Sequence, residues 1–221
     1  MMDVDAGTAA FYDGYATQLE ATEASRSAML GLLAATLPPG ASVLDVGAGS
    51  GRDVAALRDL GFDAFGVEPN PAMRDTALRL RPALAGCLAD ASLPALGRPF
   101  SDRYPQGFDA VVCSAVLMHV APASLAAALT ALAHQLRPPR HQEPAHLRPA
   151  LALSLPEMDA AQLQDDRDAD GRRFHNHAPA LVEALLGELG LTTERADVND
   201  AVLASASTRW HMRVFRRRAA P

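Results

Sequence analysis

Short apolar runs alternate with amphipathic helical stretches along most of the chain. Five apolar runs predict buried strands, at 43–46, 62–67, 84–88, 108–113 and 150–155. Four stretches with apolar positions three or four residues apart predict helices, at 53–60, 70–80, 121–136 and 179–189. A longer helical pattern at 17–37 precedes them, and the segments 191–197 and 209–216 predict a final antiparallel pair of strands.

Because strands and helices alternate, their order predicts an α/β fold of the Rossmann-like, doubly wound type. We expect a seven-stranded, mostly parallel sheet with an antiparallel final strand and helices on both faces. The length of 221 residues suits one domain, 1–221, with a sizeable core.

Charge and composition narrow the functional classes. The formal net charge of −6 argues against a nucleic-acid partner, since nucleic-acid-binding domains usually have a basic face. The arginines at 216–218 predict only a solvated end. Acidic residues near the N-terminus and the lack of a long apolar run predict a cytoplasmic protein with no membrane segment. Cys87 and Cys113 lie in predicted strands without metal-ligand spacing, which predicts buried free thiols and no metal site.

Three glycines at alternate positions, Gly47, Gly49 and Gly51, follow the first predicted strand. A strand, a glycine turn and a helix start are typical of a nucleotide-binding βα turn, where a Cβ would obstruct the backbone or the ligand. The dinucleotide fingerprint needs its third glycine at the position of Arg52. The sequence therefore disfavours a nicotinamide-dependent oxidoreductase.

The segment from Leu44 to Gly51 resembles the first motif of the class I S-adenosylmethionine-dependent methyltransferases. The segment Gly66-Val67-Glu68-Pro69-Asn70 closely matches the second motif of this family. The apolar run that ends near Ser114 resembles the motif on its fourth strand. The resemblance implies S-adenosyl-L-methionine as the cofactor. The residues that it implies for cofactor binding are Asp45, Gly47, Ala48, Gly49, Gly51, Glu68, Pro69, Asp90, Ala91 and Ser114.

Two of these acidic residues have specific roles in the family. Glu68, at the end of the second strand, is expected to accept hydrogen bonds from both ribose hydroxyls; a solvated strand-end carboxylate is the alternative. Asp90 is expected to accept from the adenine 6-amino group, with the Ala91 amide near a ring nitrogen; a plain Asx-turn is the alternative. We expect Glu68, at an open cleft, to contribute little to folding.

The resemblance also divides the chain into segments. Residues 1–40 correspond to an N-terminal helical cap, and 41–221 to the Rossmann-like core with a lid at about 156–178. Within the cap, Tyr12 and Tyr15 resemble tyrosines that close over the cofactor. A hydrophobic anchor for the first helix is the alternative.

Two histidines are candidate catalytic residues. His119 follows the fourth strand on the cofactor side, where a neutral imidazole can take a proton from a substrate hydroxyl or amine. A structural histidine bonded to a loop carbonyl is the alternative. His177 lies in the predicted lid and is a candidate for substrate contact. His175 and His177 lack further ligands at zinc spacing.

These features predict an enzyme that transfers a methyl group from S-adenosylmethionine to an O, N or C nucleophile of a small molecule. The alternatives are a cofactor-binding but inactive module that serves a partner and, less favoured, an NAD-dependent oxidoreductase. The chain has neither an Asn/Asp-Pro-Pro-Tyr/Phe motif nor a Pro-Cys nucleophile, which argues against methylation of DNA or protein amino groups and of cytosine C5.

Substrate specificity is expected in the least motif-like segments: the cap, the loop at 92–107 and the lid near His177. A proline-rich insertion at 138–149 lengthens the family's short turn into its fifth strand. The sequence suggests no function for this insertion.

Overall fold

The computed structural model describes residues 5–19, 28–200 and 208–219. The strands in these residues are β1 Ser42–Val46, β2 Asp63–Val67, β3 Leu88–Ala89, β4 Ala110–Ser114, β5 Ala150–Met158, β6 Leu191–Asp200 and β7 Thr208–Arg217. They form one seven-stranded sheet in the order β3-β2-β1-β4-β5-β7-β6. Strands β1 to β5 run parallel, while β7 lies antiparallel between β5 and β6.

Helices cover both faces of the sheet. The helices in the described residues are α1 Ala6–Gln18, α2 Ala28–Thr36, α3 Arg52–Asp59, α4 Pro71–Leu80, α5 Leu125–Gln135 and α6 Pro179–Glu188. On one face, α5 and α6 bury Leu129 and Val182; on the other, α2 and α3 bury Leu33 and Leu57. The predicted doubly wound, Rossmann-like fold is therefore confirmed. None of the helices in the described residues is long and apolar enough to cross a membrane.

The N-terminal helices differ from the single helix predicted at 17–37. Helix α1 starts earlier and ends at Gln18, so the aromatic cluster lies inside it rather than before it. Residues 20–27 of the predicted helix lie outside the described residues, and α2 follows them. Asp5 caps α1 by accepting a hydrogen bond from the amide of Thr8 at 3.0 Å.

The third strand is shorter than predicted. Of the predicted run 84–88, only Leu88 belongs to β3, and Pro82–Leu84 forms a turn of 3-10 helix. Gly86, with a φ of 78°, interrupts the extended backbone just before the strand. Cys87 therefore lies ahead of β3 rather than inside it, although its thiol is buried and free.

Strand β5 is longer than predicted, since it continues past Pro156 to Met158. Its pairing with β4 ends at Ser154, so one side of β5 is unpaired beyond this residue and tolerates a proline. On the other side, β7 pairs with β5 as far as Met158. The segment between β5 and α6, which we call the lid, therefore comprises residues 159–178.

The insertion at 138–149 packs at the amino end of the sheet, opposite to the glycine turn. Arg137 donates to Asp109 at 2.7 Å and to Glu143 at 2.6 Å, and Glu143 is buried. Asp109 precedes β4 and also accepts from the amide and hydroxyl of Ser42, at the start of β1. This buried ion-pair network fixes the insertion to the sheet, which gives it a structural role.

The second half of the 92–107 loop also lies at the amino end of the sheet. The rings of Phe100 and Tyr104 pack on Phe65, with centroids 4.7 and 5.6 Å away. The hydroxyl of Tyr104 donates to Asp63, the first residue of β2. This placement disfavours the predicted contribution of that half of the loop to substrate specificity.

The C-terminal arginines are not simply a solvated end. Arg216 is buried in β7, where it donates to Glu194 at 2.7 Å and to the carbonyl of Thr36 at 2.9 Å. The prediction is therefore wrong for Arg216, which joins the last two strands to α2.

Candidate functional site

The carboxyl ends of β1, β2, β3 and β4 meet at one edge of the sheet. In an open α/β sheet, ligands bind at this edge, where the strand order reverses. Here the order reverses between β1 and β4. The predicted cofactor residues of the core all belong to these strands or to the turns after them: Asp45, Gly47, Ala48, Gly49, Gly51, Glu68, Pro69, Asp90, Ala91 and Ser114.

The turn between β1 and α3 requires glycine at two of its positions. Gly47 has a φ of 81°, and a Cβ on it would lie 2.2 Å from Cγ2 of Val116. Gly51 has a φ of 71°, and a Cβ on it would lie 2.6 Å from Cδ1 of Leu84. Both the left-handed backbone and the close packing exclude a larger residue there.

The main-chain amides of this turn are largely paired within the protein. The amides of Gly47 and Ala48 donate to the carbonyl of Val67, at 2.8 and 3.0 Å. The amide of Gly49 donates to Glu68 at 2.9 Å. A phosphate-binding turn instead directs its amides at the ligand. This turn therefore suits a ligand that brings no phosphate to it.

Glu68 is buried at the end of β2, with 8% of the residue exposed, and is not the solvated carboxylate of the alternative interpretation. Its Oε2 accepts from the amide of Gly49 and its Oε1 from the amide of Asn70, both at 2.9 Å. Burial raises the pKa of the Glu68 carboxyl, and these two amides oppose the rise. Because a carboxylate has about four lone-pair sites, Glu68 can still accept hydrogen bonds from ligand hydroxyls.

Asp45 is a second buried carboxylate, in the strand that leads into the turn. Burial and, after it, repulsion from Asp53 and Glu68 raise the pKa of Asp45 to about 8. These three acidic side chains suit a cationic ligand, which would favour the ionised form of Asp45, better than an anionic one.

Asn70 connects the edge formed by the carboxyl ends of the strands with helix α1. Its Oδ1 accepts from the amide of Met73 at 2.9 Å and caps α4. Its Nδ2 donates to Asp13 of α1 at 2.8 Å. The sequence indicates a helix start at this residue, but not its contact with α1.

Asn70→Ala is expected to lower the free energy of unfolding by about 1 kcal/mol, the usual cost of losing an N-cap side chain. Asn70→Asp is the matched control, since it keeps the capping oxygen but places a second carboxylate beside Asp13. It should loosen α1 with little loss of global stability. Urea denaturation measures the first effect and hydrogen exchange of the α1 amides the second. Equal stability of Asn70→Ala and the wild type would contradict the capping role.

Tyr12 and His119 form a hydrogen-bonded pair over the same edge. The Tyr12 hydroxyl lies 3.1 Å from Nε2 of His119, and Nδ1 of His119 lies 2.6 Å from the carbonyl oxygen of Arg173 in the lid. Because a carbonyl only accepts, Nδ1 carries the proton, and Nε2 of the neutral ring accepts from Tyr12. Burial lowers the pKa of His119, which keeps the ring neutral.

A family model described as a methyltransferase domain matches residues 19–193, which is most of the chain. The chain belongs to this methyltransferase family. Comparison with curated proteins gives no match.

Solved methyltransferase structures share the fold. The magnesium protoporphyrin IX methyltransferase of Synechocystis, crystallised with S-adenosylmethionine, is 18% identical, with 96% of this chain and 80% of that chain covered and a TM-score of 0.58. A TehB-like enzyme of Corynebacterium glutamicum is 18% identical, with 95% and 99% covered and a TM-score of 0.64. The 1,6-didemethyltoxoflavin-N1-methyltransferase of Burkholderia thailandensis is 19% identical, with 95% and 84% covered and a TM-score of 0.66.

His177, in the lid of the methyltransferase, is buried. Its Nε2 lies 2.9 Å from the carbonyl oxygen of Leu117 and 3.0 Å from that of Val120. Because carbonyls only accept, Nε2 carries a proton, which the two carbonyls already share. This geometry favours a structural tie between the lid and the turn that holds His119 over a contact with substrate. In the described residues, no three His, Cys, Asp or Glu side chains are placed to hold a metal ion.

The remaining predicted residues differ in their surroundings. Asp90 is exposed at the end of β3, 3.4 Å from Arg74. The hydroxyl of Ser114 lies 2.9 Å from that of Ser154, a residue that the sequence analysis did not single out. Tyr15 is 43% exposed on α1, whereas Tyr12 is turned toward the site.

The ion pairs that hold the lid on α1 could not be predicted from the sequence. Asp5 accepts from Arg167 at 2.8 and 2.9 Å and lies 3.3 Å from Arg173. The hydrogen bonds from Arg167 hold the pKa of Asp5 well below its usual range, against the effect of burial. Asp5 and Arg167 are 162 residues apart, so no local pattern indicates this contact.

Proposed function

We propose that this protein is an S-adenosyl-L-methionine-dependent methyltransferase that acts on a small molecule. The arrangement around Glu68 carries the proposal: a buried carboxylate bound to the glycine turn, with acceptor capacity left for ribose hydroxyls. Asp45, Asp53 and Glu68 form an acidic group that suits the sulfonium and ammonium groups of this cofactor, because a cation beside Asp45 favours the ionised form of its carboxyl. The paired amides of the turn disfavour a pyrophosphate and therefore NAD.

Individual residues of the chain have separate tasks in this proposal. When bound, S-adenosylmethionine supplies an electrophilic methyl group. Glu68 would hold the ribose, Asp45 the cationic end and Asp90 the adenine amino group. Helix α1, fixed by Asn70, covers the edge and excludes water, so that substrate and cofactor are held in line. His119 offers an unprotonated Nε2 as a proton acceptor.

A small-molecule substrate is supported by the cover over the site. Helix α1 and the lid are joined to each other through Asp5 and Arg167, and both contact His119, so the two segments cover this edge together. Two of the structural neighbours are named for small molecules, a magnesium protoporphyrin and a didemethyltoxoflavin. We extend this substrate class to the present enzyme, with an O, N or C atom as the methyl acceptor.

Equilibrium binding followed by a methyl-transfer screen tests the proposal. Calorimetric titration should show binding of S-adenosylmethionine and none of NAD. Release of S-adenosylhomocysteine in the presence of pooled small molecules should then identify the acceptor. Cofactor binding without turnover on any acceptor class would favour an inactive module that serves a partner. Binding of NAD in place of S-adenosylmethionine would overturn the proposal.

Cofactor affinity is expected to depend on pH through Asp45. With a pKa of about 8 in the cofactor-free protein, this carboxyl is mostly protonated at pH 7 and must lose its proton to face a cation. Affinity should therefore increase about tenfold from pH 6 to pH 7, because the ionised fraction increases by that factor. Calorimetric titration in buffers of different ionisation enthalpy should show proton release on binding.

Asp45→Asn is the matched control, because the amide is similar in size and does not titrate. It should bind more weakly and with a flatter pH dependence than the wild type. In the cofactor-free protein, the raised pKa of Asp45 affects folding in the opposite direction to cofactor affinity. The free energy of unfolding should decrease as pH increases from about 4 to about 8, because the folded protein holds the Asp45 proton more tightly than the unfolded chain. An identical pH dependence of affinity in Asp45→Asn would contradict this role.

A further inference from the structure

We propose that the Tyr12 hydroxyl receives the proton of the substrate nucleophile and passes its own proton to Nε2 of His119. The enzyme would then select acceptors whose nucleophilic atom carries a hydrogen, such as a hydroxyl or an N–H group. This inference rests on the proposed methyltransferase function and adds to it a second catalytic residue and a substrate class.

The inference depends on which group donates in the two hydrogen bonds of His119. The carbonyl of Arg173 accepts from Nδ1 of His119 at 2.6 Å, which leaves Nε2 as the acceptor for the Tyr12 hydroxyl at 3.1 Å. A substrate therefore finds Nε2 already occupied by Tyr12. The Tyr12 oxygen, having donated its only hydrogen, can only accept. Arg172 is one donor within its reach, and a lone pair remains for an incoming donor. An X–H group satisfies this lone pair, whereas a tertiary amine or a thioether would place a lone pair against it.

Tyr12 and His119 both lie at the edge where the cofactor would bind. Tyr12 is on α1, the helix that Asn70 ties to the end of β2 through Asp13, and His119 follows β4. The ring of Tyr12 meets that of His119 edge to face, with centroids 5.8 Å apart. The pair is therefore in contact at the edge where substrate and cofactor would meet.

The electrostatics disfavour a free tyrosinate in the relay. Because burial raises the pKa of Tyr12, its proton leaves only as another arrives. Burial also lowers the pKa of His119, so the imidazolium forms only together with methyl transfer. Arg172, whose guanidinium carbon lies 4.4 Å from the centre of the Phe11 ring, opposes the rise for Tyr12. The charged groups that face the pair are Arg172 and Asp168 of the lid, Asp5 before α1 and Glu68 after β2.

The step conserves atoms and charge. The bond from the nucleophile to the methyl carbon forms as the bond between that carbon and the sulfonium sulfur breaks, and the sulfur keeps the electron pair. The proton of the nucleophile moves to Tyr12, and that of Tyr12 moves to His119. The resulting imidazolium donates to Arg173 and Tyr12 and later releases one proton to water.

Tyr12→Phe tests the proposal, with Tyr104→Phe as the matched control at the amino end of the sheet. Both changes remove one hydroxyl and keep the ring, and the hydroxyl of Tyr104 donates to Asp63, away from the pair. The acceptor probes are a panel of phenols, primary and secondary amines, tertiary amines and thioethers. We expect transfer to the first three classes alone, and Tyr12→Phe should lower kcat about 10²-fold with S-adenosylmethionine affinity within threefold of wild type.

A second readout needs no substrate. Nitrogen-15 NMR titration should place the proton of wild-type His119 on Nδ1, and Tyr12→Phe should raise the His119 pKa because the neutral ring loses its donor. Tyr104→Phe should leave that pKa unchanged. The proposal is overturned if Tyr12→Phe leaves both kcat and the His119 titration unchanged, or if tertiary amines and thioethers react as fast as phenols. Failure of the wild type to bind S-adenosylmethionine would instead overturn the proposed function.

Discussion

Glu68→Ala is expected to bind S-adenosylmethionine between about tenfold and several hundredfold more weakly than the wild type. Each charge-assisted hydrogen bond from a ribose hydroxyl contributes on the order of 1.5–3 kcal/mol, and two of them would depend on this carboxylate. Because neighbouring contacts are not fully additive, the total falls below their sum. Each 1.4 kcal/mol corresponds to roughly one decade in the dissociation constant.

The structure changes what is expected for folding in this variant. Glu68 is buried and accepts from the amides of Gly49 and Asn70, so its removal leaves two main-chain donors without their partner. Each buried donor left unsatisfied costs roughly 1–3 kcal/mol. Glu68→Ala should therefore also melt at a lower temperature, contrary to the expectation for a carboxylate at an open cleft.

Glu68→Gln does not separate the effect on affinity from the effect on folding. Both carboxylate oxygens accept a main-chain amide, so the NH2 group of glutamine would face one of those two donors. We expect an affinity and a stability between those of Glu68→Ala and the wild type. Glu188→Ala, which removes an exposed carboxylate at the end of α6, is the control for charge. Calorimetric titration well below the melting temperature measures affinity, and a value for Glu68→Ala within threefold of wild type would remove the ribose assignment.

The meeting of the glycine turn and Glu68 at one edge of the sheet could be predicted because its signals are local in the sequence. The glycines follow an apolar run directly, and Glu68 ends the next one, so the strand pattern alone places them at one edge of a parallel sheet. Helix α5 shows its buried face by spacing, with Leu125, Leu129 and Leu132 all buried. Such features depend on residues within a few positions of one another.

Features that depend on distant contacts could not be predicted in this way. Tyr12 and His119 are 107 residues apart, and only the fold makes them a pair. Helix α1 was missed because Gly7 and Gly14 lower helix propensity, while its stability comes from packing on α4 and the lid. The insertion contributes a buried Glu143 for Arg137, a pairing that a proline-rich segment does not indicate.

His119→Ala is expected to lower kcat by about 10²–10⁴-fold, the usual contribution of a general base, with S-adenosylmethionine affinity nearly unchanged. The physical reason is that Nε2 is the unprotonated nitrogen of a ring whose other nitrogen is fixed by the carbonyl of Arg173. Burial lowers the pKa of His119 below the usual histidine value near 6.5. Wild-type kcat should therefore be constant above about pH 6.5 and fall only at lower pH, as the ring becomes charged. Steady-state kinetics on the acceptor identified by the screen, measured across pH, checks both statements.

His119→Asn distinguishes catalysis from support of the lid. The side-chain amide of asparagine can take the place of Nδ1 and donate to Arg173, but it has no counterpart of Nε2. If His119 acts as the base, His119→Asn should keep the melting temperature and cofactor affinity of the wild type and lose turnover as fully as His119→Ala. If asparagine restores turnover, the histidine serves only to hold the lid. In that case Tyr12 would have no partner to take its proton, so the same result also bears on the Tyr12 relay.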